Sequence, residues 1–322
     1  MPPQQLTGTL GEVGEFRLVS ALATHFPQSA AVRVGPGDDA AVVDAPGGQV
    51  VCSLDMLVQN QHFRLDWSSA TDIGRKAAAV NLSDINAMGG QTTALLVGLG
   101  APADLQAAWA LEFAAGLAAE AELVGASVVG GDVTRAESIT VSIAALGSCD
   151  HGVVRRSGAR PGDVVALAGR QGWAGAGLAV LGRGFRSPRI VVDAHRRPQP
   201  PYDCGPLAAR LGATAMIDIS DGLLQDLGHL ATASGVAIDV DGDRFELPEQ
   251  LQAVGAALGV DPMRFVLTGG DDYGLLATFP VEIELPEQWH VIGRVLGTDD
   301  EGSVSVNGSP YDDADGHQHF SG

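Results

Sequence analysis

Short apolar runs bounded by glycine-flanked aspartates recur along this 322-residue chain, and they constrain its fold more than any other feature. Gly37-Asp38-Asp39 leads into residues 40–43, Ser53-Leu54-Asp55 closes 50–54, and Gly130-Gly131-Asp132 follows 127–129. Asp218-Ile219-Ser220-Asp221-Gly222 follows 214–217, and Gly269-Gly270-Asp271-Asp272 precedes 273–279. Runs of this length with turn residues at their ends read as strands. Between them lie helical patterns. Phe16, Val19, Leu22 and Phe26 mark a helix over 14–26, and a longer one over 72–88 stops at Gly89-Gly90. The expected class is α/β with mixed sheets.

Further strands are expected at 93–99 and 138–146, and a helix opened by Pro102 at 104–124. The pattern breaks over 149–163, where Arg155-Arg156-Ser157-Gly158 and Arg160-Pro161-Gly162-Asp163 intervene. The chain is long enough for two ordinary domains, so we expect one over residues 1–150 and another over 151–322. In the second, strands are expected at 164–168, 236–240 and 290–295. Helices are expected from the glycine-rich 172–177 to 181, and from the 218–222 turn to Ser234. Residues 183–201 are basic and proline-rich and read as an exposed excursion, and the tail after Asp299 is weakly patterned.

The formal charge of −20 excludes a duplex nucleic-acid partner, which needs a basic face to displace counterions. It also repels phosphates unless cations intervene. No apolar run approaches the ~20 residues of a membrane span, and residues 1–11 lack the pattern of a secretory signal. The three cysteines are widely spaced, so neither a zinc site nor a disulfide framework is expected, and a reducing cytoplasm is the natural compartment. GxxxxGK[ST], GxSxG and HExxH are all absent. Gly35-Pro36-Gly37 fails as a dinucleotide fingerprint because Ala40 stands at the last glycine position.

What remains is carboxylate chemistry. Aspartate oxygens are the hard ligands magnesium prefers, and strand ends are where α/β enzymes hold substrates. Asp84 lies three residues after Asn81 on one helical face, and aspartate is rarely buried there unpaired. The plain alternatives are turn aspartates bonding their own backbone, a structural loop histidine at His62, and solvated Arg155 and Arg156. Asp239, Asp241 and Asp243 do not form an EF-hand, because the sixth position lacks glycine and the twelfth lacks glutamate.

The motifs occur in the order GxGDDAAV, SLD, NLSD with MGG, GGD, RSGxxPGD, DISDGL and TGGDDY, with VQNQHF around His62. This series resembles the thiamine-monophosphate kinases of the aminoimidazole-ribonucleotide-synthetase-like superfamily, from about Glu15 to Tyr273. The resemblance implies a two-domain α/β fold, a homodimer built on the N-terminal sheets, and ATP bound at the N-terminal domain. It implies magnesium at Asp39, Ser53, the Leu54 carbonyl, Asp55, Asp84, Asp132, Asp218 and Asp221. Gly131, Arg156 and Ser220 would contact ATP, and His62 the thiamine monophosphate. Asp271 stands where the family often has glutamate and is a shorter candidate for substrate contact. The family's C-terminal aromatic residue has no counterpart in residues 313–320. The expected reaction is ATP plus thiamine monophosphate giving ADP and thiamine diphosphate, with no general base or covalent nucleophile. A selenophosphate synthetase is disfavoured by the lack of a reactive cysteine motif near residue 1. An aminoimidazole ribonucleotide synthetase fits DISDGL and VQNQHF poorly. The non-enzymatic alternative is an acidic, metal-stabilised binding protein.

Overall fold

The structure, a computed structural model, describes residues 6–13, 15–34 and 42–311. It divides into two compact units: Met1–Ile85 with Gly90–Asp150, and Asn86–Gly89 with His151–Gly322.

The first unit contains α1 (Leu10–Val13), α2 (Glu15–Ala23), β1 (Val32–Val34), β2 (Val42–Val43), β3 (Val51–Val58), α3 (Ala70–Ala87), β4 (Gln91–Ala101), α4 (Ala107–Ala121), β5 (Ser127–Arg135) and β6 (Thr140–Ser148). The last residues of α3 cluster with the second unit. A four-stranded sheet has the order β3-β6-β4-β5. Only β5 runs parallel to its neighbour, β4. Exposure alternates along β3 with the strand period of two. Ser53 and Asp55 lie on the side that meets α3, while the Leu54 and Met56 side chains are exposed on the other.

Gly130-Gly131-Asp132 is not the expected turn. β5 runs straight through it, with Gly131 opposite Val97 and Asp132 opposite Gly98. The glycines serve close approach, because a Cβ on Gly131 would overlap the Val97 carbonyl oxygen.

The second unit contains β7 (Val164–Ala168), α5 (Trp173–Gly182), α6 (Arg189–Arg196), α7 (Cys204–Leu211), β8 (Ala215–Asp218), α8 (Leu223–Ser234), β9 (Val236–Val240), α9 (Glu249–Leu258), α10 (Pro262–Thr268), β10 (Leu275–Phe279), β11 (Trp289–Thr298) and β12 (Ser303–Val306). Its six-stranded sheet has the order β12-β9-β11-β7-β10-β8. Alternate residues feed two cores, one on each face. Val165, Leu167, Ile217 and Leu276 join the α8 side, while Ala166, Ala168, Met216, Ala277 and Phe279 join the α7 side. A strand covered on both faces is buried along its length, as Leu275–Phe279 is, with Thr278 its one polar residue.

Residues 183–201 depart from the expected excursion. They contain α6, which buries Val191, Val192, Ala194 and His195 while Arg189, Arg196 and Arg197 pair with Asp193.

Candidate active site

In the first unit, β3 and α3 bring the predicted ligands together. The Ser53 hydroxyl donates to the Asp84 carboxylate at 2.5 Å. The Asp55 N–H donates to Asn81 Oδ1 at 2.9 Å, and the buried Asn81 amide donates back to the Ala77 carbonyl at 3.0 Å. Asn81 thus fastens strand to helix and leaves Asp84, one turn on, beside Ser53. The Leu54 side chain points away from this set and is 57% exposed. Gly131 and Asp132 are exposed on β5. His62 follows β3; its Nδ1 accepts the Val58 N–H at 3.0 Å, and its carbonyl accepts from Lys76 Nζ at 3.3 Å. A neutral imidazole that accepts at Nδ1 carries its proton on Nε2. Asp39 lies outside the described residues.

In the second unit, two loops are joined through their main chains. Asp271 donates its N–H to the Ser220 carbonyl at 2.9 Å, Tyr273 to Ile219 at 3.0 Å, and Ile219 to Gly274 at 2.8 Å. A Cβ on Gly270 would overlap the Ser220 carbonyl oxygen, so glycine is required there. Asp271 and Tyr273 hold φ of 67° and 54°, conformations costly for non-glycine residues and concentrated at functional sites. This arrangement sets Asp218, which ends β8 and is 5% exposed, and the exposed Ser220 beside the Asp271 loop. The Tyr273 hydroxyl donates to Asp271 Oδ1 at 3.4 Å, and His195 Nδ1 lies 3.7 Å from Asp271 Oδ2. Asp221 accepts from Gln225 Nε2 at 2.9 Å. Arg156 is exposed, and the Ser234 hydroxyl fastens its main chain by donating to its carbonyl at 3.0 Å.

Two buried carboxylates have roles that no sequence motif assigns. Asp226 Oδ2 accepts the Asp221 and Gly222 N–H groups at 3.0 and 3.1 Å. Burial pushes its carboxyl up to about 7; the Gly222 and Asp221 bonds oppose the rise, and the Asp218 and Asp221 charges add to it. Its one sequence signal is an aspartate in the first turn of a helix, within reach of unsatisfied N–H groups. Ligand atoms of Asp221, Asp226 and His229 lie within 4.8 Å of one another. Asp272 accepts the Gly172 and Ala174 N–H groups at 2.6 and 2.9 Å, capping α5 from another loop.

Burial likewise pushes the Asp272 carboxyl up from 3.8 to about 7. Between those values the folded chain binds more protons than the unfolded one, so this group makes stability fall as pH rises. Asp272→Asn cannot ionise. Relative to the parent it is expected to gain about 2–3 kcal/mol between pH 5 and 8, because roughly two pH units of that window lie below about 7, at 1.36 kcal/mol per unit. Urea unfolding midpoints at the two pH values measure this, and a stability difference that does not change with pH contradicts it.

The donor sets fit magnesium. Ser53, Asp55 and Asp84 in one unit, and Asp218, Ser220 and Asp221 in the other, offer hard oxygen atoms and no thiolate. Two α/β units carrying such sets define a class, and family models agree. The N-terminal domain of AIR synthase related protein matches residues 37–149, and the C-terminal domain matches 160–305. Thiamine-monophosphate kinase of Mycobacterium tuberculosis H37Rv is 47% identical over 273 residues, covering 84% of this chain and 82% of the relative. The structure of AaThiL complexed with AMPPCP and TMP superposes with a TM-score of 0.80 at 32% identity, covering 99% of this chain and 100% of that one. Thiamine monophosphate kinase from Aquifex aeolicus gives a TM-score of 0.76 at 33% identity, covering 81% and 89%. The chain belongs to the thiamine-monophosphate kinases, and it is an enzyme that transfers a phosphoryl group to a phosphate acceptor.

Proposed function

We propose that the chain transfers the γ-phosphoryl group of ATP to thiamine monophosphate directly and in line, with several magnesium ions and no phosphoenzyme. The observation that carries this reading is the meeting of Ser53 and Asp84, with Asp55 fixed alongside by Asn81. Asp39, Ser53, the Leu54 carbonyl, Asp55, Asp84 and Asp132 hold magnesium in the first unit, and Asp218 and Asp221 in the second. Gly131, Arg156 and Ser220 contact ATP, and His62 and Asp271 contact the thiamine ester. Donor and acceptor are both anionic, and two unit charges ~4 Å apart repel by ~4 kcal/mol at an effective dielectric of about 20. Magnesium supplies the charge neutralisation and alignment that the transfer needs. The acceptor phosphate has a second pKa near ~6 and is already an oxyanion at neutral pH, so no side chain has to remove a proton. Formation of thiamine diphosphate from ATP and thiamine monophosphate, lost on chelation of divalent metal, tests the reading. A cytoplasmic location is proposed from the three widely spaced cysteines, which form no CxxC pair.

The working form is a homodimer through the four-stranded sheet. Leu54 and Leu96 stand in one row, both paired with Ala144, and are 57% and 39% exposed; Met56 is 49% exposed. An apolar sheet face of this kind suits burial against a second copy. Light scattering is expected to give twice the 33.0 kDa chain mass, and a Met56→Lys/Leu96→Lys variant is expected to be monomeric. A parent chain that stays monomeric at working concentration contradicts the dimer.

A further inference from the structure

The turn 218–222 carries Asp218, Ser220 and Asp221, and its main chain is held from two sides. One side is the loop of Asp271 and Tyr273, which donates to Ser220 and Ile219. The other is Asp226. It is buried in the first turn of α8, and one carboxylate oxygen accepts both the Asp221 and Gly222 N–H groups. These two N–H groups precede the first helical residue, and the acceptor reaches back to them from one turn inside the helix. The Asp226 N–H donates back to the Gly222 carbonyl at 2.9 Å, closing a reciprocal pair. A carboxylate with two main-chain bonds to one short turn fixes where the Asp221 side chain starts.

We infer that Asp226 is a positioning residue for phosphoryl transfer, holding the Asp221 carboxylate in place for metal through the main chain of Asp221 and Gly222. This rests on the reading of Asp221 as a magnesium ligand. Asp226 acts through its bonds and not as a ligand itself. A plain helix cap would stabilise α8 without altering metal affinity; a positioning residue alters both.

The test uses the full chain and Mn2+ alone, titrated by electron paramagnetic resonance without nucleotide, beside amide exchange at Asp221 and Gly222. Asp226→Ala is expected to speed exchange at both amides and to weaken Mn2+ binding about tenfold or more, the usual effect of losing a group that orients a ligand. Asp226→Asn keeps an acceptor oxygen and is expected to bind Mn2+ within about threefold of the parent, since the hydrogen bonds and not the charge are what act. Should Asp226→Ala fail to fold, Asp226→Ser shortens the side chain and is read in the same way. Unchanged Mn2+ affinity in the shortened variant overturns the proposal and leaves a helix cap. Equal, large losses in Asn and Ala variants also overturn it, because they make Asp226 a direct ligand. Asp221→Asn is run alongside. If it leaves Mn2+ affinity unchanged, the reading of Asp221 has failed and the proposal with it, a result distinct from failure at Asp226 alone.

Discussion

Asp84→Asn is expected to leave the chain folded while lowering kcat/KM for thiamine monophosphate by at least about thirtyfold, equivalent to ~2 kcal/mol of transition-state stabilisation. Asparagine has the same shape and keeps an oxygen for the Ser53 hydroxyl, which now bonds Asp84 at 2.5 Å. Asn81 also fastens β3 to α3, so the local packing does not depend on the Asp84 charge. What the substitution removes is a negative charge on a half-buried helix face, next to a hydroxyl and one turn from the Asn81–Asp55 link. If that charge holds metal against the phosphates, its loss falls on the reaction and not on the fold. Near-parent turnover at saturating magnesium, with an unchanged unfolding midpoint, would show that Asp84 is only a hydrogen-bond acceptor.

The parts of the fold legible in the sequence were those where one physical signal dominated. Strand Val164–Ala168 is an apolar run, Val236–Val240 alternates buried and half-buried residues after Gly235, and α3 ends where Gly89-Gly90 stops it. Gly130-Gly131-Asp132 reads as a turn yet is strand, because glycine serves two ends, a turn or a close approach, and the sequence does not distinguish them. The difference lies in the Val97 carbonyl, supplied by a strand thirty-odd residues away. α6 was hidden because its arginines dominate a short segment, while the apolar stripe of Val191, Val192 and Ala194 is only visible once packed. β12 is an edge strand paired parallel to β9, and most of its residues are partly exposed, so it shows no strong apolar alternation.

The candidate site divides in the same way. Asp84 stands out because aspartate is a poor helix former and lies among the apolar residues 77–80, Leu82 and Ile85 of α3. Asp226 does not, because an aspartate in a helix's first turn is ordinary. Its partners, the Asp221 and Gly222 N–H groups, are set by the left-handed φ of 135° at Gly222, which no pattern announces. Asp272 was read as half of a Gly-Gly-Asp-Asp turn, yet it caps a helix that starts about a hundred residues earlier. Contacts of that range belong to the tertiary fold.

In the proposed reaction the site neutralises and positions an acceptor oxyanion and does not remove a proton. His62, a candidate base, already accepts the Val58 N–H at Nδ1, so its neutral form presents an N–H at Nε2. Free thiamine offers an alcohol whose proton must leave as the phosphoryl group arrives, whereas thiamine monophosphate offers an oxyanion. The most direct measurement is therefore initial rate with each acceptor under saturating ATP and magnesium, repeated with the divalent metal chelated. We expect thiamine monophosphate to be converted to thiamine diphosphate, free thiamine to remain unphosphorylated, and chelation to abolish turnover. Comparable kcat/KM for the two acceptors, or turnover that survives chelation, would contradict the account.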